Sequence, residues 1–311
     1  MGLLVNGYWQ DKWYDTASSK GAFKREDSAF RHWIGEDSQF KPESGRYHLY
    51  VCYACPWAHR TLIFLHLKGL TEHISVSAVH PHMLENGWEF RLQNHSEFQD
   101  HLYQFDFAHQ LYTQAKPDYT GRVTVPILWD KQTKTIVNNE SSEIIRIFNT
   151  QFNAITNNSL DFYPQALREE IDQVNDRIYH NINNGVYKCG FATSQAAYEE
   201  AFEALFMNLD WVDELLSKQT YLVGERLTEA DWRLFTTLVR FDAVYVGHFK
   251  TNKKRIVDYP NIWPYVKRLY QEHGISSTVK LDQIKQHYYF SHKNINPTQV
   301  VPLGPDISFD D

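Results

Sequence analysis

Length, composition and charge already narrow the class of protein. The chain has 311 residues, of which 42% are hydrophobic and 15% aromatic, and its formal net charge is −7. This length predicts about two domains, and the acidic balance disfavours nucleic acid, because phosphate binding requires a basic surface. The sequence contains no apolar run of the roughly 18 to 20 residues that span a bilayer, and no secretory signal pattern. We therefore expect a cytoplasmic globular protein that binds neither nucleic acid nor membrane.

The first elements along the chain predict a βαβ unit. Residues 1–45 have no sustained hydrophobic period and are interpreted as an N-terminal extension. The alternating residues 46–51 predict a strand, Pro56 predicts the first turn of a helix, and Gly69 predicts its C-terminal cap. A second strand is predicted at residues 73–79. This order favours a parallel strand pair joined by a right-handed crossover.

Two more strands and a helix are predicted in the same domain. Residues 123–129 and 135–137 predict the strands, and a helix begins at Ser141. The preceding residues 81–120 are irregular and rich in polar and aromatic side chains, which predicts a lid or a pocket wall. The polar segment 150–163 predicts a linker. Together these features predict an α/β domain.

Helical periodicity dominates the chain after Pro164. A capping-box pattern at residues 228–231 opens an almost fully apolar helix. The predicted organisation is therefore an α/β domain at residues 46–150 and an all-helical domain at residues 164–290, followed by a C-terminal tail at residues 291–311. Other apolar stripes at helical spacing lie at 171–182, 198–216 and 262–270.

The strongest chemical motif is the Cys-Pro-Trp-Ala-His-Arg run that begins at Cys55. A cysteine after a strand and at the start of a helix lies among unpaired backbone N–H groups, which stabilise a thiolate together with the helix dipole. Such a position can lower a thiol pKa from about 8.5 to roughly 3.5–7.5. The motif resembles the glutaredoxin active-site tetrad with alanine in place of the second cysteine, which favours a mixed disulfide with a small thiol. The alternative is a buried, unreactive cysteine.

Cys52 precedes this motif and leaves two interpretations open. With Cys55 it forms a CxxC spacing, which occurs in redox and metal sites. Zinc would need two further ligands at comparable spacing, and Cys189 stands alone, so we predict no metal site. Cys52 is then either a packing residue at the end of a strand or a redox partner of Cys55. His80 and His82 flank a proline without a nearby carboxylate pair and are interpreted as part of a loop.

Two further motifs have the character of a peptide-binding site. In thioredoxin-like domains a cis-proline at the place of Pro126 exposes the backbone of the preceding residue to a peptide substrate. An ordinary edge-strand proline is the alternative. The run Asn139-Glu140-Ser141 opens a helix, where backbone N–H groups and a hydroxyl would receive a carboxylate; the alternative is that Ser141 is simply the N-cap. The order of Cys-Pro, Val-Pro and Glu-Ser is more specific than each motif alone.

This order of motifs on a two-domain layout resembles the glutathione-transferase superfamily. In detail it resembles the Xi class of that superfamily, the glutathionyl-hydroquinone reductases. The resemblance implies a thioredoxin-like N-terminal domain followed by a helical glutathione-transferase C-terminal domain, and it extends over most of the chain. The matching segments are 54–60, 83–88, 121–126, 139–141, 184–188, 190–192, 240–242, 244–246, 291–293 and 296–297.

The resemblance also implies roles for individual residues. Cys55 would be the nucleophile and Tyr187 the proton donor or acceptor at the quinol ring, while Tyr245 and Tyr288 would lower the pKa of the thiolate. A phenol can hydrogen-bond a thiolate and can protonate a ring carbon as the C–S bond breaks. Glutathione would be a co-substrate, with no permanently bound cofactor. The residues implied to hold it are Trp88, Arg122, Val123, Thr124, Val125, Glu140 and Ser141.

The implied reaction removes glutathione from a glutathionylated aromatic small molecule through a mixed disulfide on Cys55. The implied assembly is a homodimer joined through the helical domain. An omega-like thioltransferase or dehydroascorbate reductase also uses a Cys-Pro site and remains an alternative, as does a non-catalytic binding module with this fold. The sequence departs from the family pattern in two places. Cys52 replaces the serine or other small residue that is more usual there, and residues 89–102 are shortened or diverged.

Overall fold

The computed structural model describes residues 2–90 and 96–310, which form two compact units. One unit comprises Met1–Trp13 and Glu26–Leu160, and the other comprises Tyr14–Arg25 and Asp161–Asp311. The N-terminal extension therefore contributes chain to both units. Part of the diverged segment predicted at 89–102 lies outside the described residues.

The first unit is an α/β structure. Its central sheet has the strand order β4-β3-β6-β7, in which β3 and β4 are parallel and the other neighbours are antiparallel. The predicted parallel pair is therefore confirmed. The elements of this unit are β1 (Leu3–Val5), β2 (Tyr8–Gln10), β3 (Tyr47–Val51), α1 (Pro56–Leu67), β4 (Ser75–Ala78), α2 (Ala108–Ala115), β5 (Gly121–Arg122), β6 (Ile127–Asp130), β7 (Thr135–Asn138), α3 (Ser141–Thr150) and α4 (Asn153–Thr156).

Helix α1 is fixed at both ends by local sequence. Pro56 occupies its first turn, where a backbone N–H would have no hydrogen-bond partner within the helix, so proline loses nothing there. After Lys68 the chain turns at Gly69 with φ +66°, a left-handed conformation that glycine adopts without steric strain. Helix α1 packs against α3, and all five residues of β3 are buried. The start of α1 is thus held rigidly at the end of a buried strand.

Three segments of the first unit differ from the sequence-based expectation. The extension forms an antiparallel β1–β2 hairpin that pairs with β5. The insertion at 81–120 was predicted to be irregular, but it contains α2, whose start is capped by the Gln110 side chain accepting from the Phe107 N–H. The predicted linker at 150–163 contains α4. These elements are short, so their periodicity was too weak to find.

The second unit is helical, as predicted. The capping box is confirmed, because the Thr228 N–H donates to the Asp231 carboxylate at 2.8 Å at the start of α8. Every residue of α8 is buried, so this helix forms the centre of the unit. The helices are α5 (Arg168–Ile178), α6 (Gly185–Gly190), α7 (Gln195–Leu216), α8 (Glu229–Arg240), α9 (Val246–His248), α10 (Ile262–Gln271) and α11 (Leu281–Lys285).

Three π-helical segments interrupt these helices. They lie at Tyr179–Asn183, Phe241–Tyr245 and Gln286–Phe290. Such widened turns are rare and frequently occur at functional sites. Among the helices that the structure describes, none is long and apolar enough to cross a membrane.

Candidate active site

Cys55 lies where the sequence places it, at the start of α1. It is the N-cap residue, with φ −76° and ψ 120°, and it is 8% exposed. Its Sγ lies 3.6 Å from the carbonyl oxygen of Val125. The first turn of α1 contains no acidic residue. The positive end of the helix therefore faces the sulfur without a competing carboxylate on that turn, which favours a thiolate.

Cys52 lies one tight turn before Cys55. The Cys55 N–H donates to the Cys52 carbonyl at 3.0 Å, so the two residues are the ends of a β-turn. Cys52 is 0% exposed, and no disulfide joins any of the cysteines, all of which belong to the described part of the chain. Cys189, in the second unit, is a contrasting thiol, because burial raises its pKa to about 12. A buried thiol of that kind is unreactive near neutral pH.

The Val-Pro motif has the geometry of a peptide-binding loop. The Val125–Pro126 peptide bond is cis, as the thioredoxin-like interpretation of this proline requires. The predicted strand at 123–129 is interrupted here, so that only β5 and β6 are extended on either side. Thr124 is held by Tyr112, whose hydroxyl donates to the Thr124 carbonyl at 2.8 Å and accepts from its N–H at 3.1 Å. The loop beside the Cys55 sulfur is therefore fixed by a side chain that the sequence analysis missed.

Glu140, rather than Ser141, is the N-cap of α3. Its carboxylate accepts from the N–H and hydroxyl of Ser142 at 3.0 and 2.8 Å and from the hydroxyl of Ser28 at 3.1 Å. Burial acts to raise the pKa of Glu140, but these hydrogen bonds and the charge of Arg60 outweigh burial and lower it. The expectation of Ser141 as a simple N-cap is wrong, because the longer carboxylate reaches the second N–H of the helix.

Ser141 is the first residue of α3 and is 3% exposed. Its hydroxyl lies 3.5 Å from the guanidinium of Arg60, which projects from α1. A buried cation, a hydroxyl and the start of a helix therefore lie together, a combination suited to a carboxylate. Glu140 beside them provides a negative charge suited to an ammonium group. This end of α3 can thus receive both charges of an amino acid.

Three other residues predicted to hold glutathione, Trp88, Arg122 and Val123, are buried or bonded within the protein. Trp88 and Val123 are 3% and 2% exposed, so their side chains belong to the core. The guanidinium of Arg122 donates to the carbonyl oxygens of Lys12 and Trp13 in the N-terminal extension. Its Nε lies 3.5 Å from the carboxylate of Glu26. The guanidinium of Arg122 is therefore bound to the N-terminal extension. No local sequence pattern indicates this arrangement.

The three predicted tyrosines meet in the second unit. The hydroxyl of Tyr288 lies 2.6 Å from that of Tyr187 and 3.1 Å from that of Tyr245. All three side chains are buried. Burial raises the pKa of Tyr288 well above its usual value, and the neighbouring hydroxyls of Tyr187 and Tyr245 raise it further. The three hydroxyls therefore form a continuous hydrogen-bonded chain.

Two features of this cluster lay beyond sequence reasoning. Tyr245 and Tyr288 lie within π-helical segments, and Tyr187 lies in α6, which follows the π-helical segment Tyr179–Asn183. Arg25 also packs on the cluster, with its guanidinium carbon 5.1 Å from the centre of the Tyr187 ring and its Nε donating to Asn184 at 3.1 Å. A cation at this distance from a ring is an attractive contact.

Metal binding has no support in the described ranges. Within residues 2–90 and 96–310, no group of three or more His, Cys, Asp or Glu side chains could hold a metal ion. His80 and His82 lie with their rings edge to face, 4.7 Å apart.

Comparison with known proteins agrees with this geometry. The family model described as "Glutathione S-transferase, N-terminal domain" matches residues 54–151, and the corresponding C-terminal model matches residues 195–268. The chain is 54% identical to glutathionyl-hydroquinone reductase YqjG of Escherichia coli K12, over 98% of this chain and 95% of that protein. It is 55% identical to glutathionyl-hydroquinone reductase PcpF of Sphingobium chlorophenolicum, over 98% and 96%.

Solved structures give the same result. The glutathione-bound structure of YqjG superposes with a TM-score of 0.92 at 50% identity, covering 100% of this chain and 97% of that one. The Xi-class transferase of Natrialba magadii superposes with a TM-score of 0.93 at 48% identity, over 100% and 95%. The fold and the site define an enzyme of the glutathione-transferase type. Within that class, the chain belongs to the Xi-class family of glutathionyl-hydroquinone reductases.

Proposed function

We propose that the protein removes glutathione from glutathionyl-hydroquinones, with Cys55 as the nucleophile. The observation that carries this proposal is the position of Cys55, an N-cap thiol 3.6 Å from the carbonyl of a residue that precedes a cis-proline. The names of the related proteins support the choice of substrate.

The first step is nucleophilic attack by the Cys55 thiolate on the sulfur of the conjugate. An S–S bond forms between Cys55 and glutathione, and the bond from sulfur to the ring carbon breaks. Its electron pair stays on the ring, and Tyr187 supplies the proton that this carbon takes up, so hydroquinone leaves. The hydrogen bond to Tyr288 allows Tyr187 to be reprotonated through the tyrosine cluster. Tyr245 and Tyr288 have the further role of stabilising the thiolate as hydrogen-bond donors.

The second step is thiol–disulfide exchange. The thiolate of a second glutathione attacks the glutathione sulfur of the mixed disulfide, which releases oxidised glutathione and regenerates the Cys55 thiolate. The sum of both steps consumes one conjugate and one glutathione, and produces one hydroquinone and one oxidised glutathione. No permanently bound cofactor or metal takes part.

Glutathione is held mainly by backbone groups and charged side chains of the first unit. Glu140 receives its γ-glutamyl ammonium, and Ser141 with the start of α3 receives the adjacent carboxylate. The backbone of Thr124 and Val125 pairs with its cysteinyl residue, while Trp88, Arg122 and Val123 frame this loop. Residues 46–150 thus form the glutathione-binding domain. The helical residues 164–290 supply the aromatic-substrate side and the contact of a homodimer in the cytoplasm.

The decisive variant is Cys55→Ala, assayed with a synthetic glutathionyl-hydroquinone by chromatography of the hydroquinone formed. We expect this variant to lose all turnover. The matched control Cys189→Ala also removes one thiol, and we expect it to keep its turnover. A Cys55→Ala protein with full reductase activity would overturn the mechanism.

A further inference from the structure

Tyr112 hydrogen-bonds two of the segments that are proposed to bind glutathione. Its ring is 0% exposed and projects from α2. Its hydroxyl donates to the Thr124 carbonyl at 2.8 Å, and accepts from the Thr124 N–H at 3.1 Å and from the Asn139 side-chain amide at 3.0 Å. A phenol has one proton and two lone pairs. This hydroxyl therefore uses its full hydrogen-bonding capacity on these two residues.

The two partners of Tyr112 belong to separate parts of the chain. Thr124 precedes the cis Val125–Pro126 bond, and Asn139 precedes the N-cap of α3. No direct hydrogen bond between these two segments appears among the contacts of the described residues, whereas each one bonds Tyr112. The phenol oxygen is thus a bridge between the loop beside Cys55 and the charged end of α3.

Asn139 is also clamped from its other side. Its Oδ1 accepts from the Phe30 N–H at 3.0 Å, and its own N–H donates to the Phe30 carbonyl at 3.0 Å. These bonds hold Asn139 in one orientation, with its amide directed at the Tyr112 hydroxyl. Because a fully satisfied buried network of this kind is rigid, the distance between Thr124 and Asn139 is fixed before any ligand binds.

We propose that Tyr112 is a positioning residue, whose hydroxyl sets the spacing between the two segments that bind glutathione. The inference rests on the proposed function, since it concerns the glutathione-binding segments assigned there. Tyr112 itself contacts no reacting atom. Its contribution is to preorganise the cysteinyl-binding loop relative to the γ-glutamyl-binding helix start, which lowers the free-energy penalty for binding. A residue of the 81–120 insertion thereby acts within the glutathione site, although the sequence suggested a lid.

Burial keeps the Tyr112 hydroxyl neutral at physiological pH. Desolvation raises its pKa, although the bonds from Thr124 and Asn139 oppose this rise. The hydroxyl therefore donates and accepts at once throughout the working range. Replacing it by hydrogen leaves the Thr124 N–H and carbonyl without this partner, and a buried polar group that loses its partner destabilises the arrangement around it.

The test is Tyr112→Phe in the full chain, with Tyr47→Phe as the matched control. Tyr47 is another fully buried tyrosine of the same unit, and its hydroxyl donates to the carbonyl of Lys41, away from Thr124 and Asn139. We expect the calorimetric Kd for glutathione to rise about tenfold in Tyr112→Phe, the effect of one lost buried hydrogen bond. It should change less than about twofold in the control. The kcat at saturating glutathione should stay close to the wild-type value, because Tyr112 touches no reacting group.

A second variant removes the same bridge from its other end. Asn139→Ala should raise the Kd similarly, and the double variant should raise it no further than the larger single effect, because both changes break one network. This variant also serves if Tyr112→Phe does not fold. Equal Kd values for Tyr112→Phe and Tyr47→Phe, or fully additive effects in the double variant, would overturn the inference alone. A wild-type protein that does not bind glutathione would overturn the proposed function first.

Discussion

The Sγ of Cys55 lies 3.6 Å from the carbonyl oxygen of Val125, and the peptide bond after Val125 is cis. The Cys55 thiol and the backbone before the cis-proline are therefore neighbours within one compact unit. In the proposed reaction, the cysteinyl backbone of a glutathione joined to Cys55 would pair with Thr124 and Val125.

The Cys55 thiol should be reactive at low pH. Since it caps α1 at the positive end of the helix, we expect it to alkylate at pH 6 at nearly its rate at pH 8.5. Iodoacetamide labelling, followed by mass spectrometry of the peptides, measures this. Cys189, whose pKa burial raises to about 12, is the internal control and should stay unlabelled. A Cys55 that reacts at pH 6 like an ordinary thiol would favour a non-catalytic binding module.

Cys52 should be dispensable for turnover. Its side chain is 0% exposed, and a second glutathione suffices to resolve the mixed disulfide. We expect Cys52→Ala to keep kcat within about twofold of wild type, because neither step of the proposed reaction uses this thiol. A loss of turnover with accumulation of the mixed disulfide would instead identify Cys52 as a resolving thiol.

Tyr187 should matter for quinol substrates and not for disulfides. Breaking a carbon–sulfur bond requires a proton on carbon, whereas thiol–disulfide exchange does not. Tyr187→Phe should therefore lose about 10²-fold in kcat on a glutathionyl-hydroquinone, the usual effect of a general acid. The rate of the same variant on a mixed disulfide that contains glutathione should be unchanged.

The matched control for Tyr187 is Tyr198→Phe, a tyrosine of α7 whose hydroxyl donates to the Lys250 carbonyl. It should leave both rates unchanged. If wild type were faster on the disulfide or on dehydroascorbate than on the quinol conjugate, the protein would be an omega-like thioltransferase. Equal losses on both substrates in Tyr187→Phe would exclude the specific protonation role.

Glu140 should stabilise the fold in a pH-dependent way. Its pKa in the folded protein lies below the usual value of 4.5, so its stabilising effect is complete above that value and is lost as pH falls through the folded pKa. The difference in free energy of unfolding between wild type and Glu140→Gln should therefore be constant above about pH 5.5 and shrink below pH 4.5. Urea unfolding over a pH series measures it. The exposed Glu170→Gln is the control, and a pH-independent difference for Glu140→Gln would contradict the account.

Local patterns in the sequence predict the helix start at Cys55 and the parallel pair β3–β4. Pro56, Gly69 and the alternation before them act over a few residues, so a single sequence contains the full signal. The capping box at Thr228 and Asp231 is predictable for the same reason. The N-cap of α3 shows the limit of such rules, because the sequence suggested only Ser141 as a cap, whereas the Glu140 carboxylate accepts from the Ser142 N–H.

Long-range pairing explains what the sequence could not predict. Strand β5 is extended because Gly121 and Arg122 pair with Leu4 and Leu3, and this two-residue segment has no strand pattern of its own. Likewise, the hydroxyl bridge of Tyr112 joins parts of the chain that no periodicity connects. The grouping of Tyr187, Tyr245 and Tyr288 followed from family resemblance alone, since one tyrosine among 19 has no distinguishing local signal.

The most direct test of the account is a single turnover without added glutathione. The wild-type protein is mixed with one equivalent of a glutathionyl-hydroquinone, quenched with acid, and examined by peptide mass spectrometry and by chromatography of the aromatic product. We expect one hydroquinone to be released for each glutathione adduct, with that adduct on Cys55. Hydroquinone released without an adduct, or an adduct on a different cysteine, would contradict it.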